Sequence, residues 1–229
     1  MKSENILISS DSRQLEAGIV YPERRCGESC AVLFIHGKKS NQELYRSRAE
    51  EVSRSLGAVT LTFDLSGHGR DSANFRTFTV ADHLNDVVAA YDRLARTSAV
   101  DANRIGVCGA SYGGFLASLL TEQRTVARLV LRAPAIAHGV KYDSDEAAGH
   151  WSELPEPYDS IRALSTYAGN TLIIESELDE VVPSAHVAAY LNASDRTSHR
   201  VIAGASHAMA QPAWDAEFVN ATVLWFKAL

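Results

Sequence analysis

The sequence predicts an α/β protein: a mostly parallel sheet of eight strands with helices on both faces and a small cap insertion. Three observations predict it. Short apolar runs alternate with amphipathic helical stretches along nearly all of the 229 residues, and strands separated by helices pair in parallel because each crossover returns the chain to the same end of the sheet. Several runs, Cys30-Ala-Val-Leu-Phe-Ile-His36 among them, are continuously apolar, as expected of strands covered on both faces. Near mid-chain, Arg104-Ile-Gly-Val-Cys108-Gly109-Ala110-Ser111-Tyr112-Gly113-Gly114-Phe115 sets Gly-x-Ser-x-Gly between a strand and a helix, a sharp turn that lifts a serine hydroxyl clear of a sheet.

Taken in order, residues 4–10 and 14–21 read as two strands joined by the polar turn Ser10-Asp11-Ser12-Arg13, an antiparallel hairpin at a sheet edge. The run from Cys30 to Ile35 is the third strand and ends in His36-Gly37 and Lys38-Lys39. Residues 42–56 place Tyr45, Ala49, Val52 and Leu56 at helical spacing, and Gly57 stops the helix. Residues 58–65 form the fourth strand, leading into the loop Ser66-Gly67-His68-Gly69-Arg70-Asp71-Ser72. Thr79 is a good N-cap for a helix over 80–96 whose apolar face carries Val80, Leu84, Val87, Val88, Tyr91 and Leu94. The strand before Ser111 and the helix after it follow, then a sixth strand over 127–134.

Between about 135 and 160 the periodicity lapses. Tyr142, Trp151, Pro155, Pro157 and Tyr158 stand there among acids and small residues; the segment is too aromatic for a featureless linker and too short for a domain. It reads as a small cap over the strand ends, with a long surface loop as the plainer alternative. Alternation then resumes with a strand over 171–175, a loop over 176–180, a helix over 184–192, a last strand over 200–203, and a closing helix from Pro212 with Trp214, Phe218, Ala221 and Trp225 as its packed stripe.

Length and the absence of linkers, repeats or low-complexity blocks suit one domain over 1–229. A net charge of −6 with both signs mixed along the chain leaves no basic footprint for nucleic acid and no polybasic membrane patch. No apolar stretch approaches a membrane span, and the first ten residues lack the apolar core of a signal peptide. Three cysteines, Cys26, Cys30 and Cys108, are an odd set, which suits a reducing cytoplasmic compartment. Cys26 and Cys30 lack a second ligand pair nearby, so they read as plain thiols, and no metal or organic cofactor is expected.

A serine hydroxyl is a weak nucleophile at neutral pH and needs a base, itself held by a third group. In open α/β sheets such groups gather on loops beyond the carboxyl ends of the strands. Of eight histidines, His83 and His186 fall within helices, His199 precedes a strand, and His138 and His150 lie in the irregular segment. His36, His68 and His207 remain, and only His207 follows the last strand on a short Gly/Ala/Ser loop able to swing toward Ser111. The same filter favours Asp179 as the orienting carboxylate, with Glu175, Glu177 and the more distant Asp143 as alternatives.

The order Ser111, Asp179, His207 is that of the α/β-hydrolase triad. With His36-Gly37, Phe-Asp-Leu-Ser-Gly-His-Gly-Arg-Asp-Ser, Gly-Ala-Ser-Tyr-Gly-Gly, Leu-Arg-Ala-Pro, Leu-Asp-Glu-Val-Val-Pro and Ala-Ser-His in sequence, the chain resembles the α/β-hydrolase superfamily over nearly its whole length. Within it, the chain is most similar to small-capped carboxylesterases of the cinnamoyl and feruloyl type. Ser-Tyr-Gly-Gly and Asp-x-Val-Val-Pro also resemble the catalytic domain of prolyl-oligopeptidase-like peptidases, although 229 residues leave no room for a propeller domain. Lys38 departs from many esterases, where an apolar side chain lines the acyl pocket, and Ser111 stands where dienelactone hydrolases commonly carry cysteine.

The resemblance implies that His36 and Gly37 shape the oxyanion loop, with the backbone N–H groups of Lys38 and Tyr112 as donors. It implies acyl transfer from a small-molecule ester through an acyl-enzyme, with His36, Gly37, Tyr142, Trp151 and Tyr158 around the substrate, and a monomer or homodimer. Thioester or small-amide cleavage uses the same triad, and a hydrolase-fold binding protein with little turnover is the rival from another class.

Overall fold

Strand β1 (Lys2–Ser10) turns back at Asp11, which takes a left-handed φ of 50°, into β2 (Arg13–Tyr21). The structure, a computed structural model, describes residues 1–23, 29–136 and 158–229. After the hairpin come β3 (Ser29–Ile35), α1 (Glu43–Leu56), β4 (Val59–Phe63), a 3₁₀ helix (Gly69–Thr77) and α2 (Val80–Ala95). Then follow β5 (Val100–Ala110), α3 (Tyr112–Leu120), β6 (Arg128–Arg132), α4 (Ser160–Thr166), β7 (Asn170–Ser176), α5 (Ser184–Asn192), β8 (Thr197–Ile202) and α6 (Pro212–Phe226).

The eight strands form one sheet in the order β1-β2-β4-β3-β5-β6-β7-β8. Pairings β1–β2 and β2–β4 are antiparallel and the rest parallel. Side chains of a strand alternate between faces, and that period sorts the core into two halves. Ala31, Leu33, Ile35, Ile105, Val107, Leu129, Leu131 and Ile173 pack with α2, α3, α4 and α5. Val32, Phe34, Cys108, Val130, Leu172 and Ile174 pack with α1 and α6 on the other side.

Helix ends follow local chemistry. Thr79 accepts from the Asp82 amide while the Asp82 side chain accepts from the Thr79 amide, a capping box that starts α2. Helix α1 has no side-chain cap; the Gln42 amide instead donates to Asp64 Oδ1 at 2.7 Å, and Gly57 ends the helix at φ 66°. Arg48 on α1 pairs with Asp215 on α6 at 2.6 Å.

Four expectations change. The last strand begins at Thr197, so His199 lies within it and bonds Glu175 at 2.8 Å. The loop after β4 winds into a 3₁₀ helix, and α4 forms where the irregular segment ends. The β1–β2 turn is tighter than expected, with Ser10 and Arg13 inside the strands. Cys26 and most of the expected cap, including Tyr142 and Trp151, lie outside the described residues. Cys30 and Cys108 are buried free thiols, and burial pushes Cys108 up to about 12.

Candidate active site

Parallel strands deliver their carboxyl ends to one edge, and the residues singled out by sequence lie beyond five such ends. Ser111 joins β5 to α3 with φ 54° and ψ −118°, a conformation that L-residues adopt only when their surroundings enforce it. The enforcement is visible. The Ser111 amide donates to the Arg132 carbonyl at 2.9 Å, and the Ser111 carbonyl accepts from the amides of Gly114, Phe115 and Ala135 at 3.0, 3.2 and 3.1 Å. From Ile105 to Leu120, Ser111 alone is not fully buried.

Space for the turn comes from missing side chains. A Cβ on Gly109 would sit 2.3 Å from the Gly113 carbonyl oxygen, and one on Gly113 would sit 2.3 Å from that of Ile35 and 2.5 Å from that of His36. A Cβ at Gly37 would lie 4.0 Å from Ser111 Oγ, so the loop after β3 runs directly alongside the hydroxyl. Tyr112 is the first residue of α3, directly after Ser111, and Lys38 follows Gly37 in that loop.

On the loops after β7 and β8, His207 Nδ1 meets Asp179 Oδ2 at 2.7 Å. Asp179 Oδ1 accepts from the amides of Val181 and Val182 at 2.9 and 2.8 Å. Burial pushes the Asp179 carboxyl up, but the bonds from His207 and these two amides outweigh it and hold the group below its ordinary value. The alternatives to Asp179 are engaged elsewhere: Glu175 with His199, and Glu177 with the amide of Gly204 at 2.6 Å. Asp143 lies outside the described residues.

His36 is redirected. Expected among substrate contacts, its imidazole is 1% exposed; Nδ1 meets the Gly37 carbonyl at 2.8 Å and Nε2 accepts from the Leu65 amide at 3.1 Å. It braces its own loop. His68 and His83 pack beside it, with ring centroids 5.0 and 5.3 Å apart in succession. His83 bonds the Ser66 carbonyl through Nε2 at 2.9 Å, leaving Nδ1 to accept from the Tyr112 hydroxyl at 3.0 Å. Each bond set suits a neutral ring; burial first, and then the neighbouring imidazoles, against which a further positive charge would be placed, lower His36 to about 3 and His83 to about 4. Tyr158 is partly buried against the larger core.

Three contacts escaped the sequence reading. Glu180 accepts from the His207 amide at 3.1 Å, Arg132 donates to the His207 carbonyl at 2.8 Å, and His83 braces Tyr112. Only Arg132 left a trace, as a cation ending the apolar run Leu129-Val-Leu.

A serine at an enforced strand-to-helix turn, with an Asp–His pair on later loops of a sheet of this order, makes the protein an α/β-hydrolase. More closely, the chain belongs to the prolyl oligopeptidase family, a family of hydrolases whose model matches residues 45–229. An uncharacterised protein of Mycobacterium tuberculosis strain H37Rv is 27% identical over 186 residues, which is 79% of this chain and 63% of that protein. The mitochondrial palmitoyl-protein thioesterase ABHD10 of Bos taurus is 33% identical over 109 residues, 46% of this chain and 34% of that protein. The chain therefore spans less than two thirds of either relative. Among solved structures, Est1E of Butyrivibrio proteoclasticus with bound ferulic acid is similar at a TM-score of 0.78 and 21% identity, over 98% of this chain and 100% of that one. A dienelactone hydrolase of Anabaena variabilis reaches 0.75 at 24% identity, over 98% and 96%. At such identities the likeness concerns the fold.

Proposed function

We propose that the protein is a serine hydrolase that cleaves carboxylic esters of small molecules through an acyl-enzyme, with Ser111 as nucleophile, His207 as general base and acid, and Asp179 as the group that orients it. The observation that carries this reading is the 2.7 Å bond between His207 Nδ1 and Asp179. With Nδ1–H donated to the carboxylate, Nε2 is the lone-pair nitrogen and accepts the Ser111 proton as Oγ attacks the ester carbonyl. The tetrahedral oxyanion is held by the amides of Lys38 and Tyr112. As the intermediate collapses, the C–O bond to the alcohol breaks and His207 returns its proton to the leaving oxygen. Water then adds to the acyl-serine with His207 again as base, releasing the carboxylic acid and restoring the hydroxyl.

A second reading, thioester cleavage by the same groups, is favoured by the similarity to the palmitoyl-protein thioesterase. A panel of p-nitrophenyl esters, acyl thioesters and anilides of graded acyl length separates the two. Ser111→Ala is expected to lower kcat/KM on the preferred substrate by at least ~10³-fold. Full turnover by that variant overturns the assignment. Stoichiometric labelling of the parent by a serine-directed phosphonate, with no turnover on any substrate, favours the binding-protein alternative.

A further inference from the structure

Arg132 is the last residue of β6, in register with Ala110 of β5 on one side and Ile174 of β7 on the other. The alternation that sends Val130 toward α1 and α6 sends Arg132 the same way, and its guanidinium is buried. Among the described residues no carboxylate forms an ion pair with it. Burial disfavours its charge, the nearby Tyr45 and Asp179 favour it, and a second cation, Arg48, opposes it. Among the described residues Nε has no hydrogen-bond partner. A buried cation so lightly compensated is a costly arrangement.

Its remaining bonds join the two halves of the site. The backbone carbonyl of Arg132 accepts the amide of Ser111 at 2.9 Å, while Nη1 donates to the carbonyl of His207 at 2.8 Å and reaches Ser176 Oγ at 3.4 Å. His207 has two other anchors, Asp179 at its ring and Glu180 at its amide. Both ride on the loop after β7 and move with it. Arg132 is rooted in the sheet beside the strand that carries the nucleophile.

We propose that Arg132 is a positioning residue for the reaction assigned above, fixing the backbone of His207 relative to that of Ser111 through one residue that holds both. The proposal rests on the serine-hydrolase reading. Proton transfer requires Nε2 within hydrogen-bond reach of Oγ, and a misplacement of about 1 Å lowers a rate by ~10²-fold. Substrate binding is left alone, because Arg132 is buried below the edge where substrate enters.

The test compares Arg132→Met, which keeps volume and removes the donor, with Arg132→Lys, which restores a cationic donor on a similar stem. Each is assayed on the preferred ester beside the parent and Ser111→Ala, with thermal melts to establish folding. The methionine variant is expected to lose ~30–100-fold in kcat with KM within twofold of the parent, and the lysine variant to recover at least fivefold of that loss. Parent-like kcat in Arg132→Met, a lysine variant no better than methionine, or a loss confined to KM overturns the positioning role. If the methionine variant does not fold, Arg132→Gln, two atoms short of the His207 carbonyl, takes its place with the same expectation. Should Ser111→Ala itself retain turnover, the hydrolase reading fails first. An inactive Ser111→Ala beside an unimpaired Arg132→Met overturns the positioning role alone.

Discussion

At Asp179 two oxygens do two separate jobs: Oδ2 receives His207 Nδ1, and Oδ1 receives two backbone amides. An asparagine has one acceptor oxygen. If it serves the amides of Val181 and Val182, its NH₂ faces Nδ1 and forces the proton onto Nε2, where the ring can no longer accept from Ser111. If it serves His207 instead, NH₂ is pressed against two N–H donors and the loop is displaced. Either way Asp179→Asn is expected to lower kcat by ~10³–10⁴-fold at an unaltered melting temperature within a few degrees, measured on the ester that the parent prefers. A loss under tenfold shows that Asp179 does not orient the base. The places of Ser111, Asp179 and His207 beyond strand ends were legible in the sequence because a residue just past an apolar strand is placed by the strand itself. Glu180 and Arg132 were not, because both act on backbone atoms of His207, and a bond to a backbone atom leaves no mark on the partner's side chain. His36 was read as facing substrate from its place after β3; a strand end gives a side chain's position but not the direction in which it turns.

At the scale of elements, β5 and α3 meet so closely that two glycines are set by the backbone of their neighbours rather than by their own dihedral freedom. The atoms that a Cβ on Gly113 would strike, the carbonyl oxygens of Ile35 and His36, belong to the end of β3 and the loop that flanks Ser111. Neither can yield as a flexible side chain can. Gly113→Ala is therefore expected to destabilise the fold by about 2–3 kcal/mol, a fall of roughly 4–12 °C in melting temperature, and to slow phosphonate labelling of Ser111 while the variant is still folded. A melt unchanged within 2 °C, roughly the smallest shift one kcal/mol produces at this length, shows that the elements separate without cost. Helices α1, α2 and α6 were legible because each covers one half of the core with an apolar stripe and ends at a recognisable residue: Gly57, Thr79 or Pro212. The 3₁₀ helix at Gly69–Thr77 and the seven-residue α4 were not, since neither is long enough to show a period, and α4 is announced only by Asp159, whose carboxylate accepts from the amides of Ile161 and Arg162. Strand β8 was read as beginning three residues late because its exposed stretch Ser198-His-Arg-Val lacks the apolar run of the buried strands.

For the whole molecule, the three neighbouring imidazoles of His36, His68 and His83 join the loops after β3 and β4 to α2, and all three are nearly inaccessible to water. Burial comes first among the causes that lower each of them, to about 3 for His36 and about 4 for His83. Asp64, 3.9 Å from His36 Nε2, is itself pushed toward its neutral form by burial and so offers limited compensation. The sign follows from which state binds protons. Above the ordinary histidine value of about 6.5 both folded and unfolded chains carry neutral rings, and stability is fully present. As pH falls below 6.5 the unfolded chain takes up protons that the folded one refuses, so stability declines steadily until the folded values near 4 and 3 are reached. Between pH 7 and pH 5 the loss amounts to roughly 2 kcal/mol for each of His36 and His83, in a window where most carboxylates are still ionised, and His68, lowered by the same burial, adds to it in the same direction. Urea midpoints taken at pH 7, 6 and 5 are expected to fall monotonically, and His83→Gln, which removes one titrating ring, is expected to flatten the slope even as it lowers the midpoint at pH 7. Midpoints that stay level from pH 7 to pH 5 would mean that the buried rings accept protons in place. The loop after β3 and helix α2 would then tolerate charge even though the ring nitrogens that must take the proton, His36 Nε2 and His83 Nδ1, already accept from the Leu65 amide and the Tyr112 hydroxyl.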